Sequence, residues 1–441
     1  MSGLGAGGNG YFALNVTNPG DLDTEAEAKD NVLWEFTPAD DLDTTLPIVA
    51  DGNDMNLGLT FSEPLIAMSN ASDGTNQRWV AIFGNGYNST STDGDAELYV
   101  LFIDGGQDGD WTRGTDFVKL STGNGKAESG DGTTPNGISG LRGIDTDLNG
   151  TVDIVYAGDL QGNVYRFDLS GTSESVWQSS SVQTLYTATY SGDGTVQPIT
   201  NAPIVIKHPS EDGFIVIVGT GSYITNADAT STDIQSIYGL WDDLADPSDS
   251  ITPVTTARLQ EQTFTNQAAT VNGFTVRTLT DNSITWGHNG TKKEGWFIDL
   301  DVPVAGGGAV EFPGERAIRN FQIRGNFMFV NTVIPKASTA CNTGPGGFEL
   351  GFLPETGGSG ENTVFDTNGD GIFDADDNVN ATDGAANVAS GLRFDDATPT
   401  DSSFIGNRKV TQTSDKKIRS TATNTDGGNK TGRHSWREIE L

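Results

Sequence analysis

GIDTDLNGTVDIVYAGDLQGNVYRFDL occupies residues 143–169, and its reading decides the fold. Its first third sets Asp145, Asp147, Asn149 and Asp153 at positions 1, 3, 5 and 9 of a loop, with Gly150 at position 6. Side-chain oxygens in that register around a glycine bend are how a chain wraps a hard divalent cation. Thr151, at position 7, would add its backbone carbonyl. Position 12, where an EF-hand carries a bidentate glutamate, is Tyr156. An EF-hand would continue into a helix, whereas Ile154-Val155-Tyr156 is β-branched and aromatic, the chemistry of a strand. The loop is therefore expected to join two strands and to hold calcium in the weak, micromolar to millimolar range. Magnesium suits it less, because that ion demands tighter octahedral geometry. The competing reading is an Asx-rich hairpin turn with no metal.

The rest of the chain reads the same way. Strand-length apolar runs bounded by Gly, Asn, Asp and Ser recur throughout, and 57 of 441 residues are Gly, which suits many tight turns. Helical periodicity is confined to Thr24–Asp30, a turn or two at most. WVAIFGNGYNS (79–89) and FIVIVGTGSYI (214–224) each combine an apolar run, G-x-G and a tyrosine, and each precedes a second strand, LYVLFIDGG (98–106) and IYGLWDD (237–243). Residues 153–171 offer a third copy, while YFALNVTNPG (11–20) and GWFIDLD (295–301) resemble the second strand alone. Tyr99, Tyr165, Tyr238 and Trp296 follow one another at 66, 73 and 58 residues. A loose repeat of that length, built of short strands, predicts an all-β fold, a β-propeller of six or seven units with long inter-strand loops and insertions. A β-sandwich or several small β domains is the alternative. We expect one domain over residues 3–441, with 354–402 a calcium-loop insertion between blades. Residues 403–441 hold eight Lys or Arg against four acids, and the tail would close the ring by pairing with the first blade.

A second loop lies in that insertion. In FDTNGDGIFDADDN (365–378), Asp366, Asn368, Asp370, Gly371, Ile372 (through its carbonyl), Asp374 and Asp377 fill positions 1, 3, 5, 6, 7, 9 and 12. An ion there would help to order a polar segment with little core of its own, so its role could be structural or functional.

Composition excludes several functions. Sixty acids against 25 bases give a formal charge of −35, which repels nucleic acid and anionic membrane. No apolar run is long enough to span a bilayer as a helix. Cys341 is the single cysteine, so no internal disulfide forms and the redox compartment is left open. MSGLGAGG lacks the basic and apolar regions of a signal peptide; the chain reads either as intracellular or, as we favour, as a piece of a longer exported precursor. His208, His288 and His434 are too dispersed for an H-E-x-x-H zinc site, and neither G-x-S-x-G nor a P-loop occurs. Gly3–Gly8 matches G-x-G-x-x-G, but a strand follows it and none precedes, which argues against dinucleotide binding. The sequence thus argues against an enzyme.

GLGAGGNGYFALNVTNPG, NVLWEF (31–36), VAIFGNGYNS (80–89), DIVYAGDLQGNVYRFDL, VGTGSYI and GRHSWREI together resemble, in the same order, the PilY/PilC family. These are type IV pilus tip-associated adhesins and biogenesis factors of Gram-negative bacteria. The resemblance implies a modified seven-bladed β-propeller, the carboxy-terminal half of a longer exported protein whose amino-terminal half often carries a von Willebrand factor A-like region. It implies calcium at Asp145–Asp153, with the bound state opposing pilus retraction. It also implies a place at the pilus tip or outer membrane, pilus (minor pilin) components as partners, and attachment to a host or abiotic surface. Relatives often carry a cysteine pair near Cys341, and this chain lacks the second member. No Arg-Gly-Asp occurs, so integrin recognition is not carried over. Two other classes share features. Quinone-dependent dehydrogenases pair similar strands with calcium but often need a vicinal cysteine pair, and integrin-α-like or lectin-like modules repeat the loop in several consecutive blades.

Overall fold

The computed structural model describes residues 2–3, 7–41, 55–178, 181–244, 253–300, 312–335, 346–379, 388–395 and 397–425. They form six sheets that follow the chain. Strands β1 (Ser2–Gly3), β2 (Tyr11–Leu14) and β3 (Val32–Phe36) make the first sheet, and a four-stranded meander of β4 (Leu65–Ser72), β5 (Gln77–Gly84), β6 (Glu97–Phe102) and β7 (Phe117–Ser121) makes the second. The third is the meander β8 (Ile138–Ile144), β9 (Ile154–Asp159), β10 (Asn163–Asp168) and β11 (Val182–Thr187). The fourth runs β12 (Ile204–Lys207), β13 (Phe214–Gly219), β14 (Ser236–Asp242), β18 (Gly295–Asp299) and β15 (Leu259–Gln262), the last pair parallel. The fifth has six strands in the order β16 (Phe264–Val271), β17 (Phe274–Leu279), β23 (Ala389–Phe394), β21 (Gly347–Phe352), β20 (Phe327–Asn331), β19 (Gln322–Arg324). The sixth is β22 (Phe365–Asp366), β26 (Ile418–Thr423), β25 (Arg408–Thr413) and β24 (Pro399–Ile405). The α-helix among the described residues, α1 (Glu25–Asp30), is a short piece capped by the Thr24 hydroxyl, and none is long and apolar enough to cross a membrane.

Central strands read as unbroken apolar runs because both faces are buried. On β5, Val80 and Ile82 pack toward the third sheet with Val155, Ala157 and Phe167, while Ala81 and Phe83 pack toward the first with Tyr11, Trp34 and Phe36. The same division repeats down the chain. Tyr156 and Val164 meet Val216, Val218 and Tyr238 between the third and fourth sheets. Ile215 and Ile217 join Val330 and Leu350 between the fourth and fifth, and Phe329 and Leu392 join Phe365 between the fifth and sixth. Five cores stacked between six successive sheets are blade-on-blade packing, the arrangement of a propeller. Each fully buried Val, Ile or Phe contributes about 1.5–3 kcal/mol, so the stack carries the fold without disulfides.

The repeated tyrosines have a physical reason. Each is fully buried and ends its hydroxyl on a buried acceptor: Tyr99 on Asp41 (2.7 Å), Tyr165 on Asp159 (2.7 Å) and Tyr238 on Gln197 (2.5 Å). Trp296 differs. Its strand β18 pairs antiparallel with β14, the strand of Tyr238, so it belongs to the same sheet and opens no further unit. A second hairpin within one sheet imitates the repeat spacing. The described residues thus form six sheets, within the six or seven units that the repeat length suggests, and one of the six holds six strands.

The stretch 354–402 is also more than an insertion. Its Ala389–Phe394 is β23, paired on both sides by β17 and β21 in the middle of the fifth sheet. The Gly- and Asp-rich surroundings hide its apolar alternation. In the tail, β25 and β26 complete the sixth sheet with β24 and β22. Residues 426–441, which carry the SWREIEL expected to close the ring, and Cys341 lie outside the described residues.

Candidate metal centre

The loop 145–153 closes the β8–β9 hairpin, just beyond the Ile144–Ile154 pair, and the Asp153 N–H donates to the Ile144 carbonyl (2.9 Å). A strand follows the acids, as the β-branched and aromatic run Ile154-Val155-Tyr156 predicts. Asp145 is half-buried, Asp147 exposed and Asp153 buried, and one oxygen of each lies within 4.8 Å of the others. No other group of three or more His, Cys, Asp or Glu converges in this way among the described residues.

Local hydrogen bonds explain the convergence. The two Asp145 oxygens accept from the N–H groups of Asn149 (3.2 Å) and Gly150 (2.8 Å), folding the loop over its first residue. Asp147 accepts from the Asn149 amide (3.0 Å), and the Asn149 side-chain oxygen accepts from the Thr151 N–H (2.8 Å). At the far end Asp153 closes the loop, its Oδ2 accepting from both the N–H (2.7 Å) and the hydroxyl (2.6 Å) of Thr146. Burial alone would push the Asp153 carboxyl up, but these bonds and one from Asn70 outweigh it and hold it below the usual carboxylate range. Asp153 is thus an anion at neutral pH.

The turn places two residues in the left-handed region, Leu148 (φ 63°) and Gly150 (φ 93°). Glycine enters that region freely and leucine does not, so position 4 of the loop is strained.

The second loop has the same backbone plan. Gly369 (φ 79°) and Gly371 (φ 82°) stand at its positions 4 and 6, and Asp366 accepts from the Gly371 N–H (3.0 Å) as Asp145 does from Gly150. Asn368 donates to Asp370 (3.1 Å), the mirror of Asn149 and Asp147, and the Ile372 N–H donates to Asp370 (2.7 Å). The closing acid moves, however. Asp377 takes the part of Asp153, accepting from the N–H groups of Thr367 (2.7 Å) and Asn368 (3.1 Å), and Asp374 caps the turn Ala375–Asp377. Asp374 and Asp377 are therefore engaged by backbone donors, and the acids of this loop do not form a three-carboxylate cluster. The Asn272-Gly273 hairpin turn braces the loop, the Asn272 amide donating to the Thr367 hydroxyl and the Asp376 carbonyl (2.9 Å each).

Sequence reasoning misses two participants. Thr146, at position 2, locks the closing acid, and Thr367 stands at the same position of the second loop, a recurrence visible in the sequence. Asn70 has no such signal: it lies on β4, in the preceding sheet, and reaches Asp153 (2.8 Å) across the seam between blades.

The fold and this site define an acidic all-β propeller with an oxygen-rich hairpin loop between two strands of one blade. A family model described as the PilY1 beta-propeller domain matches residues 1–277. The type IV pilus biogenesis factor PilY1 of Pseudomonas aeruginosa is 31% identical over 398 residues, covering 84% of this chain and 30% of that protein. A PilY1 homolog of Xylella fastidiosa is 32% identical over 438 residues, covering 99% of this chain and 29% of the relative. The crystal structure of the Pseudomonas aeruginosa PilY1 C-terminal domain superposes with a TM-score of 0.69 at 29% identity, over 96% of this chain and 79% of that one. The chain belongs to the PilY1 β-propeller family. It spans about 30% of the length of the curated relatives it matches.

Proposed function

We propose that this chain is a calcium-binding propeller acting in type IV pilus biogenesis, and that Asp145–Asp153 is its principal cation site. One observation carries the metal reading: the oxygens of Asp145, Asp147 and Asp153 converge within 4.8 Å. Among the described residues no Lys or Arg pairs with them. Like charges held together without a counter-charge repel, and a divalent cation removes that repulsion. The donor set fits a hard cation, because every candidate ligand is an oxygen: the three carboxylates, the Asn149 amide oxygen and the Thr151 carbonyl. When bound, calcium would neutralise the acids and tie the two ends of the hairpin turn. The chain's own part is to pre-form the turn through Thr146, Gly150 and Asp153.

A second, weaker cation site is proposed at Asp366, Asn368, Asp370 and Ile372. Asp374 and Asp377 there serve the backbone and contribute less. The pilus role rests on the family, whose named members are type IV pilus biogenesis factors. We place the domain outside the cell, at the pilus or outer surface and within a longer secreted precursor, as a binding module and not an enzyme. Pilus components are its partners, and attachment to a surface is a second duty. In a piliated bacterium lacking its own family member, the full-length protein should restore surface pili. The same protein with Asp153→Ala should give an altered balance of extended and retracted pili. Identical piliation and motility from both would separate the loop from biogenesis.

A further inference from the structure

Asn70 lies outside the loop, 81 to 99 positions upstream of the residues it bonds, yet its carboxamide joins the loop to the neighbouring blade. Its oxygen accepts from the Thr151 hydroxyl (2.8 Å), and its nitrogen donates to Asp153 Oδ1 (2.8 Å), the Val152 carbonyl (3.1 Å) and the Leu169 carbonyl (3.3 Å). Three acceptors around the nitrogen fix the orientation, since a flipped amide would set its oxygen against all of them. The backbone joins the same seam: the Val152 N–H donates to the Met68 carbonyl (2.9 Å), and Ser69 and Val152 form a parallel bridge. The edge strand β4 of the second sheet is thus laced to the last three loop residues, Thr151, Val152 and Asp153.

We propose that Asn70 is a positioning residue that couples cation occupancy of the loop to the docking of β4 against the third sheet, a regulatory link resting on the metal reading above. The coupling follows from counting lone pairs and protons. Thr151 has one hydroxyl proton and two acceptors in reach, Asn149 Oδ1 and Asn70 Oδ1. Asn149 Oδ1 already accepts the Thr151 N–H. A cation takes the second lone pair of Asn149 Oδ1, which leaves Asn70 as the acceptor for the hydroxyl. Occupancy therefore strengthens the Thr151–Asn70 bond and tightens the seam. By reciprocity, a seam already held by Asn70 raises cation affinity. The output is local order at a blade junction, with no helix pair to open.

The test joins calcium calorimetry on chelator-stripped protein with hydrogen exchange of residues 65–72 in calcium and in chelator. In the parent, calcium should slow exchange in that segment. Asn70→Ala should weaken calcium binding at the loop tenfold or more, the usual effect of losing an outer-shell partner, and abolish the calcium-dependent protection. Thr151→Val should act likewise while keeping Asn70, and so carries the test if Asn70→Ala does not fold. Thr151→Ser should retain near-parental affinity. Asn70→Ala and Thr151→Val that bind within twofold of the parent, with protection intact, would overturn the coupling. A parent that binds no calcium at the loop would instead remove the metal reading, and the coupling with it.

Discussion

Asp147 and Asp153 both face the proposed cation, but only one of them also builds the loop, and a pair of substitutions separates these roles. Asp153 is 4% exposed and receives three charge-assisted hydrogen bonds, from the Thr146 N–H, the Thr146 hydroxyl and the Asn70 amide. Hydrogen bonds to a charged group contribute ~1.5–3 kcal/mol each when the donors have no alternative. Here the alternatives are good. Thr146 is exposed and can turn to water, and Asn70 keeps the Val152 and Leu169 carbonyls. Asp153→Ala should therefore cost about 2 kcal/mol of folding stability, well short of the sum. Asp147 is exposed and bonds only within the turn, to Asn149, so Asp147→Ala should stay within ~0.5 kcal/mol of the parent. Urea unfolding in chelator measures both without the ion, and calorimetry with calcium measures the binding each loses. Both variants should lose affinity, and only Asp153→Ala should lose stability. Equal stability of the two in chelator would refute the claim that Asp153 closes the loop, and parental affinity in Asp147→Ala would refute its place in the cation shell.

Two further outcomes follow from single residues. Leu148 is 80% exposed and held at φ 63°, a conformation that costs an L-residue ~1–2 kcal/mol. Leu148→Gly, matching Gly369, should stabilise the chelated protein by ~0.5–1 kcal/mol after the extra chain entropy of glycine; a loss of stability in urea would mean that the leucine side chain is held by contacts. His208 is buried against Trp241 and Trp286, its Nδ1 accepts from the Ser210 and Glu211 N–H groups, and burial lowers its pKa to about 4 despite the Asp243 charge. A depressed histidine pKa favours the neutral folded form. Its stabilising contribution is therefore complete above the unfolded value near 6.5 and falls away as pH drops toward 4. The urea midpoint of the parent should fall more steeply between pH 6.5 and 4.5 than that of His208→Phe, and parallel curves would contradict the assignment.

The first loop is legible in the sequence because its determinants are local: the acids, Gly150 and the strand that follows sit within twelve residues. The blades are legible where one strand is buried on both faces, as in VAIF at 80–83 and FIVIV at 214–218. Legibility fails where the cause is tertiary. Trp296 imitates a new repeat because β18 returns to the sheet of Tyr238, a pairing that no spacing announces. β23 is hidden because its neighbours β17 and β21 come from different parts of the chain. Asn70 is invisible for the same reason: a polar residue in the edge strand LIAMSNAS reads as solvent-facing until the next blade is placed against it. In the second loop the Asp spacing is plain, but the transfer of loop closure from position 9 to position 12 depends on the turn Ala375–Asp377, which only the folded backbone specifies.

On the reading proposed above, alternating acids between two strands of a propeller blade hold calcium. Calorimetric titration of the chelator-stripped parent against Asp145→Ala/Asp153→Ala and Asp366→Ala/Asp370→Ala tests it directly. The parent should show two binding events, the tighter one lost in the first variant and the weaker one in the second. Three proteins with the same titration curve would show that these loops are hydrogen-bonded turns and no more.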